Sequence, residues 1–363
     1  MSSQCFNGPP LQFSNKFRPA DNIKLLATIG SLPTVAAGLG IFNTCISHLT
    51  SDEDEQLRVI GQIMLLCPNL CWVRFQTSSV ARLNRLCDVL KVSSTTWPLL
   101  LDLAWYSVPG QWGGSNSTMT GNDLSWLLQR TPNLRRIDLH NVFLDSALAL
   151  PSTVRALVGY LGGVSLLARL LQSKESIRLK SITLWGSDPL QETVDVLQLA
   201  LDSCSPSEEM STLFNVRTLI LGKIGSAFPL ELPCTQSLVK HCTNLRELVL
   251  YLRRPGSGAP FRQLETLPSM ISRRLQVLVL HPLFWTIGVR DSRGTQLIQH
   301  LKRGILNGHM SMLRELIVFR IRDDGRTGGV GSAFRRFGAA HRISVRLINQ
   351  DLWDRSPTGS FRA

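Results

Sequence analysis

The sequence predicts an α/β repeat solenoid, in which a curved parallel sheet lines the concave side and helices cover the convex side. A short segment recurs as CPNLCWVRF from Cys67, TPNLRRIDL from Thr131 and CTNLRELVL from Cys242. In each copy the apolar residues follow the pattern L-x-x-L-x-L, which indicates a half-buried strand, and helix-like stretches separate the copies. A unit of one strand and one helix cannot bury its apolar face alone, so we expect stacked units with a shared core.

The composition is that of a folded protein without a membrane span. Of the 363 residues, 44% are hydrophobic and 18% are charged, which excludes a disordered or collagen-like chain. The N-terminus has no basic segment followed by an apolar one, and no run of about 18 apolar residues occurs. We therefore expect a cytoplasmic or nuclear protein. The eight cysteines form no CxxC pair, which argues against a metal site.

The predicted units differ in length. Residues 1–32 are predicted to form an N-terminal segment or cap, 33–330 about nine irregular units, and 331–363 a C-terminal capping element with a flexible tail. The first positions of the apolar pattern fall at 36, 70, 100, 134, 179, 216, 245, 275 and 313, so the units are 29 to 45 residues long. The longest, from Leu134, needs an insertion or a longer helix, LPSTVRALVGYLGGVSLLARLLQ, to fill it.

Each unit is predicted to contribute three buried strand residues, here called a rung. The rungs are Ala36, Leu39 and Ile41; Leu70, Val73 and Phe75; Leu100, Leu103 and Trp105; Leu134, Ile137 and Leu139; Leu179, Ile182 and Leu184; Val216, Leu219 and Leu221; Leu245, Leu248 and Leu250; Leu275, Leu278 and Leu280; Leu313, Leu316 and Val318. The helices are predicted at 53–66, 79–91, 122–130, 150–172, 190–203, 233–242, 262–273 and 295–306. Pro68-Asn69 and Pro132-Asn133 are turn-forming pairs that connect helix to strand.

Residues 33–318 resemble the leucine-rich-repeat region of the F-box/LRR proteins that are abundant in fungi. The resemblance rests on LLCPNLCWVRF, LLQRTPNLRRIDL, LVKHCTNLRELVL and SMLRELIVF. It implies a leucine-rich-repeat solenoid that acts as a non-catalytic protein-binding scaffold or as a substrate receptor of a ubiquitin ligase. Two features depart from regular repeats: the units exceed the usual 20–29 residues, and Ser78 and Val142 stand where a regular repeat places its ladder asparagine.

An F-box would dock a Skp-family adaptor of cullin ligases, and the segment SLPTVAAGLGIF from Ser31 is its only candidate. This segment has Leu32-Pro33 but lacks the acidic residue that follows in an F-box. Gly38 and Gly40 each weaken a helix by about 1 kcal/mol relative to alanine. We therefore expect a strand at 36–41, and a Skp-family adaptor as partner only if a degenerate F-box exists.

Partner-binding residues are expected on the concave face, because side chains alternate across a strand and those beside the second rung residue point away from the core. The candidates there and at the strand ends are Trp72, Arg74, Arg136, Asp138, His140, Trp185, Ile220, Glu247, Val249, Tyr251, Val277, Val279, His281, Ile317 and Phe319. Charged and hydroxyl side chains dominate the earlier strands, and apolar ones form a stripe on the later strands. This stripe is either a partner site or the surface that HRISVRLINQDLWDRS covers as a capping strand with Leu352 and Trp353.

An alternative function is suggested by the uneven charge. Residues 251–363 hold 19 Lys+Arg and 7 Asp+Glu, which gives +12 of the total +13. This basic third is compatible with a nucleic-acid or anion-binding module that uses Arg273, Arg274, Arg335 and Arg336, although no RNA-binding motif accompanies them. The sequence has no HExxH, GxSxG or P-loop motif, so neither an enzyme nor a cofactor is predicted.

Overall fold

Parallel strands and helices follow one another along the chain, and the fold is mixed α/β, as the repeat pattern predicts. In this computed structural model the chain divides into unit 1, Met1–Leu179, and unit 2, Lys180–Ala363. The structure describes residues 11–15, 19–46, 53–77, 80–107, 118–119, 121–140, 143–144, 150–160, 162–172, 178–185, 191–204, 212–222, 230, 232–252, 273–282, 292–308, 310–319 and 329–348.

Unit 1 contains a parallel sheet with the strand order β1-β2-β3-β4-β6-β8. The strands are β1 Leu11–Asn15, β2 Leu39–Ile46, β3 Trp72–Thr77, β4 Asp102–Ser107, β6 Arg136–His140 and β8 Ala156–Tyr160. The short strands β5 Thr118–Met119 and β7 Phe143–Leu144 pair separately.

The helices of unit 1 pack against one another and against the strands. They are α1 Pro19–Ser31, α2 Pro33–Gly38, α3 Glu53–Leu66, α4 Val80–Lys91, α5 Gly121–Gln129 and α6 Gly162–Gln172. The contacts run from α1 to α3, from α3 to α4 and from α4 to α5, while α3 also contacts β2 and α4 contacts β3. Neighbouring repeats therefore share both a sheet and a helix layer.

Unit 2 repeats this arrangement. Its parallel strands pair in chain order and are β9 Ser181–Trp185, β10 Thr218–Leu221, β11 Glu247–Leu252, β12 Val277–Pro282, β13 Glu315–Phe319 and β14 Ser344–Ile348. The described helices are α7 Gln191–Asp202, α8 Pro233–His241, α9 Ser292–Leu306 and α10 Val330–His341. The strand β14 lies where the sequence predicts a capping strand. A Cβ on Gly338 of α10 would come 2.6 Å from the Ile343 carbonyl oxygen, so only glycine permits this close helix–strand packing.

The predicted rungs form the core. Every rung from Leu70 to Val318 has all three apolar side chains buried, and the burial of β3 and β11 alternates along the strand. Full burial of a leucine or valine side chain contributes about 1.5–3 kcal/mol relative to exposure. In unit 1, Phe75 also packs edge-on against Phe42, with ring centroids 6.3 Å apart. The repeated leucines are therefore explained by shared burial between units.

The recurring asparagine links each connector to the repeat before it. Asn69 Nδ2 donates to the Ala37 carbonyl at 2.9 Å, Asn133 Nδ2 to Pro98 at 2.8 Å and Asn244 Nδ2 to Phe214 at 2.8 Å. Each amide satisfies a backbone carbonyl that lies shortly before the strand of the preceding repeat. The asparagine ladder thus lies before the strand, and the positions of Ser78 and Val142, where a regular repeat would have it, lie outside the described residues.

The prediction for the first unit is wrong in register. Residues 36–41 do not form one strand, because α2 extends to Gly38 and β2 begins at Leu39. Phe42 pairs with Val73 and Thr44 with Phe75, so the first rung is Leu39, Phe42 and Thr44. Thr44 occupies an apolar position because its hydroxyl accepts a hydrogen bond from Asn22 Nδ2 of α1 at 3.0 Å. A search for apolar residues alone therefore does not detect a buried polar rung residue such as Thr44.

The predicted helix at 150–172 is also wrong. Its first part contains β8, which pairs in parallel with β6, and only its second part is helical, as α6. The 45-residue unit is therefore two repeats, with an additional rung of Val154, Leu157 and Gly159. The third position is a glycine, which breaks the L-x-x-L-x-L pattern and leaves the repeat unseen in the sequence.

Some predictions lie outside the described residues. These are most of the helix predicted at 262–273, and Leu352 and Trp353 of the C-terminal segment. The remaining predicted helices agree with α3, α4, α5, α7, α8 and α9 to within three residues at each end. Among the described residues, the helices are too short or too polar to cross a bilayer.

Candidate functional site

The strand register of unit 1 gathers charged and aromatic residues on the face opposite the rungs. Trp72, Asp102 and Arg136 lie in one row across β3, β4 and β6, because the backbone pairs them directly. Arg74, Ala104 and Asp138 form the next row in the same register. We call Trp72, Arg74, Asp102, Arg136 and Asp138 the charged cluster. Four of its five residues are sequence candidates, and Asp102 is the one that was not selected.

Arg136 bridges the two carboxylates of the charged cluster. Its Nε lies 3.6 Å from Asp102 Oδ2, and its Nη2 lies 3.7 Å from Asp138 Oδ2. The Arg136 side chain is 48% exposed, whereas those of Asp102 and Asp138 are 24% and 5% exposed. The guanidinium therefore stays at the surface and neutralises two carboxylates that lie deeper in the face.

Burial controls the protonation of Asp102. The pKa of its carboxyl is raised to about 6, mainly by desolvation, and the neighbouring charge of Asp138 contributes to the increase. Arg136 and a hydrogen bond from Trp72 act in the opposite direction and favour the ionised form. A carboxylate with this pKa is mostly ionised at pH 7 and becomes protonated in mildly acidic solution.

The corresponding face of unit 2 carries an apolar group on its later strands, β11 to β14. Val279, Ile317 and Phe319 form a buried group with exposures of 3%, 6% and 5%, against which Val249, Val277 and Ile348 pack. We call these six residues the apolar cluster. The sequence predicts an exposed apolar stripe along these strands, but Val279 and Ile317 are buried. The half-buried Val249 and Val277 are its more accessible members.

An aromatic stack borders the apolar cluster at the strand ends. The rings of Tyr251 and His281 are 4.7 Å apart at an interplanar angle of 23°, and those of His281 and Phe319 are 4.8 Å apart at 25°. The parallel register places these residues side by side on β11, β12 and β13. Burial raises the pKa of the Tyr251 hydroxyl, so it stays protonated at neutral pH. The stack therefore fixes the positions of the three rings relative to one another.

The remaining sequence candidates are not members of either cluster, although Ile220 pairs with Val249 and Glu247 pairs with Val277 in the sheet. Trp185 ends β9 and Ile220 lies on β10, and both are half-buried. Glu247 Oε2 accepts a hydrogen bond from the Thr218 hydroxyl at 3.2 Å. His140 ends β6, where its backbone pairs with Tyr106.

The four arginines of the alternative anion site belong to two elements. Arg273 and Arg274 are exposed in the connector before β12, where Arg274 donates to Asn244 Oδ1. Arg335 and Arg336 are exposed on α10. The uneven charge of the sequence groups these four arginines together. In the structure, each pair occupies a solvent-exposed position in its own element.

Burial keeps the thiols of two cysteines protonated, and the acidic residues that the structure describes form no metal-binding group. Burial raises the pKa of Cys67 and of Cys242 to about 12, so both thiols stay protonated and weakly nucleophilic at neutral pH. Within the described part of the chain, no group of three or more His, Cys, Asp or Glu side chains is arranged to hold a metal ion.

The known proteins offer no direct guide to the function. No protein-family model matches the chain, and no curated protein is significantly similar to it. We therefore infer the function from the geometry of the strand faces.

Proposed function

We propose that this protein is a non-catalytic protein-recognition scaffold of the leucine-rich-repeat type, and that its partner binds the charged cluster of unit 1. One observation carries the proposal: Trp72 and Arg136 flank Asp102 in a single row, and they already contact it in the free protein. Tryptophan and arginine contribute most to binding energy at protein interfaces. A row that presents both on neighbouring strands is a suitable centre for an interface.

The contacts within the charged cluster favour binding because they restrict side-chain motion before a partner arrives. Trp72 is held by its hydrogen bond to Asp102, and Arg136 is held between Asp102 and Asp138. Ordering an interfacial side chain costs about 0.5–1.5 kcal/mol on association, so side chains that are already ordered increase affinity. The exposed part of the Arg136 guanidinium remains available to a carboxylate of the partner.

The same residues support binding rather than catalysis. The two rows of the charged cluster contain Trp, Arg, Asp and Ala but no Ser, Cys or His that could act as a nucleophile or imidazole base. Asp102 has a raised pKa, as catalytic carboxyls often do. Because Asp102 contacts Trp72 and Arg136 directly, we interpret it as an interface residue rather than as a catalytic one.

The leucine-rich-repeat assignment is supported by the repeated rung, the connector asparagines and the parallel strand of each repeat. A role as substrate receptor of a ubiquitin ligase would require a docking element for a Skp-family adaptor. The short helix α2 and strand β2 occupy the segment that offered the F-box candidate. We therefore place partner recognition, and not adaptor docking, at the centre of the proposal.

Quantitative affinity purification from extract of the source cells tests the proposal. The full chain, Trp72→Ala and Arg136→Gln are compared with Arg58→Gln, which removes an exposed arginine from a surface ion pair on α3. We expect a protein that the parent and Arg58→Gln retain and that both cluster variants lose by about ten-fold or more, because truncated interface hot spots cost about 2 kcal/mol. Recovery of a Skp-family adaptor would assign the ligase role.

Two results would count against the proposal. The first is an identical set of retained proteins for all four chains. The second is a loss by Trp72→Ala that accompanies a lowered melting temperature, with Arg136→Gln unaffected in both measurements. Thermal unfolding of each variant therefore belongs to the experiment.

A further inference from the structure

A row of basic residues lies at the edge where the strands of unit 2 begin, apart from the strand faces discussed above. In each repeat, the residue that follows the first rung position lies immediately before the strand. In β9, β10, β11 and β13 these residues are Lys180, Arg217, Arg246 and Arg314, and all four are exposed. In the repeat of β12 the same position holds Gln276. We call the four charged residues the basic edge.

Backbone hydrogen bonds fix the order of the basic edge. The Arg217 N–H donates to the Lys180 carbonyl at 2.8 Å, and the Arg246 N–H donates to the Arg217 carbonyl at 2.8 Å. Gln276 bonds in the same way to Arg246 at 2.8 Å, and Arg314 bonds to Gln276 at 2.9 Å. Successive residues are therefore about 4.8 Å apart, and the row from Lys180 to Arg314 spans about 19 Å.

Among the described residues of unit 2, no ion pair neutralises the charges of the basic edge. None of its four side chains forms a salt bridge with an acidic residue in the described part of unit 2. Glu247 and Glu315 follow Arg246 and Arg314 in sequence, but Glu247 accepts from the Thr218 hydroxyl and Glu315 pairs with Arg346. Four cations at this spacing repel one another, and a bound anion would relieve that repulsion.

We infer that the basic edge binds an extended acidic segment of a partner polypeptide. A row of about 19 Å matches about six residues of extended chain, at about 3.3 Å per residue. Guanidinium groups bind carboxylates through paired hydrogen bonds, so three arginines in one row recognise a run of Asp or Glu side chains. This surface differs from the charged cluster and does not depend on the proposed function.

An acidic peptide fits the basic edge better than a nucleic acid does. Proteins that bind single strands combine basic grooves with aromatic side chains on which bases stack. The aromatic residues Trp185, Tyr251 and Phe319 end their strands five residues beyond the basic edge, which is about 16 Å away. Phe214, in the connector before Arg217, is half-buried. In the part of unit 2 that the structure describes, the basic edge therefore offers charge without a stacking platform.

Fluorescence anisotropy with a labelled peptide of about ten glutamates, long enough to span the row, tests this inference. The full chain is compared with R217Q/R246Q and with R217K/R246K, which keeps the charge. The matched control K302Q/R303Q removes two exposed charges from α9. The measurements are made at low ionic strength and repeated at about 0.3 M salt, where exposed charges are strongly screened.

We expect the parent, K302Q/R303Q and R217K/R246K to bind the glutamate peptide, and R217Q/R246Q to bind it about ten-fold more weakly. Binding should weaken with added salt, and a glutamine peptide of equal length should not bind. The inference is wrong if the parent does not bind, or if K302Q/R303Q loses as much affinity as R217Q/R246Q, since net charge alone would then explain binding. Tighter binding of an oligothymidylate of the same length would assign the edge to nucleic acid instead. None of these results affects the test of the charged cluster.

Discussion

The strand faces of the two units use the same backbone positions for opposite chemistry. In unit 1 the middle row reads Arg74, Ala104 and Asp138. In unit 2 the corresponding row includes Val249, Val279 and Ile317. Both units keep parallel strands, buried rungs and asparagine connectors. The repeat therefore fixes the core and the connectors, while the strand face remains free to vary.

The two faces also contribute to stability in opposite directions. Apolar side chains that bury one another on the unit 2 face add hydrophobic stabilisation to that of the core. On the unit 1 face, desolvation raises the pKa of Asp102, which means that the ionised carboxylate is held at a free-energy cost. The recognition role proposed above would explain why a carboxylate is held in this position.

The largest expected effect concerns the apolar cluster. Phe319 is 5% exposed and stacks on His281, so Phe319→Ala removes both burial and the ring contact. We expect the free energy of unfolding to fall by about 3 kcal/mol, measured by urea denaturation. Gln76→Ala, at the half-buried strand-end position of β3, is the unit 1 counterpart and should change it by less than about 0.5 kcal/mol.

Equal effects of Phe319→Ala and Gln76→Ala would remove the distinction between the two faces. A large loss from Phe319→Ala alone would establish the apolar cluster as an additional core of unit 2.

A smaller effect is expected at Asp102. Its pKa is about 6 in the folded chain and about 3.9 in an unfolded one, so the folded state binds the proton more tightly between these values. Protonation then favours folding, and this group's contribution to stability increases as the pH falls from about 7 to about 4. Asp102→Asn mimics the protonated form and should stabilise the chain by about 2–3 kcal/mol at pH 7 and by less than about 1 kcal/mol at pH 4.

The control for this prediction is Asp202→Asn, which changes an exposed carboxyl at the end of α7. The stability difference that Asp202→Asn causes should change less between pH 4 and pH 7 than the difference that Asp102→Asn causes, because Asp202 lies at the surface. If Asp102→Asn is less stable than the parent at pH 7, the ion pair with Arg136 outweighs desolvation and the charged cluster stabilises unit 1.

The sequence predicts the parts of the fold that repeat and fails where a repeat position changes chemistry. Leucine rungs are visible because burial demands apolar side chains at fixed spacing, and eight of the nine predicted rungs are correct. Two further rungs are not predicted, because their third residues are Thr44 and Gly159 instead of a large apolar residue. A hydrogen bond from Asn22 satisfies Thr44, and Gly159 leaves the third position of its rung without an apolar side chain.

The sequence predicts most residues of the charged cluster but not the contacts between them. Strand alternation identifies Trp72, Arg74, Arg136 and Asp138 as residues of one face. The role of Asp102 depends on the register between β3, β4 and β6, which a single sequence does not specify. The sequence does not predict the basic edge, because its residues are far apart in sequence and become neighbours only through the parallel pairing.

The smallest expected effect tests the element that both units share. Asn133→Ala in unit 1 and Asn244→Ala in unit 2 each remove one amide donor to a backbone carbonyl, so each should lower the free energy of unfolding by about 1 kcal/mol. Asn215→Ala is a matched control, since Asn215 holds the same repeat position but bonds to no residue in the described part of unit 2. Similar losses at Asn133 and Asn244, with little change at Asn215, would show that the connectors act alike beneath two different faces. A loss at Asn215 equal to that at Asn244 would instead assign the effect to backbone propensity, because asparagine favours turn geometry wherever it stands.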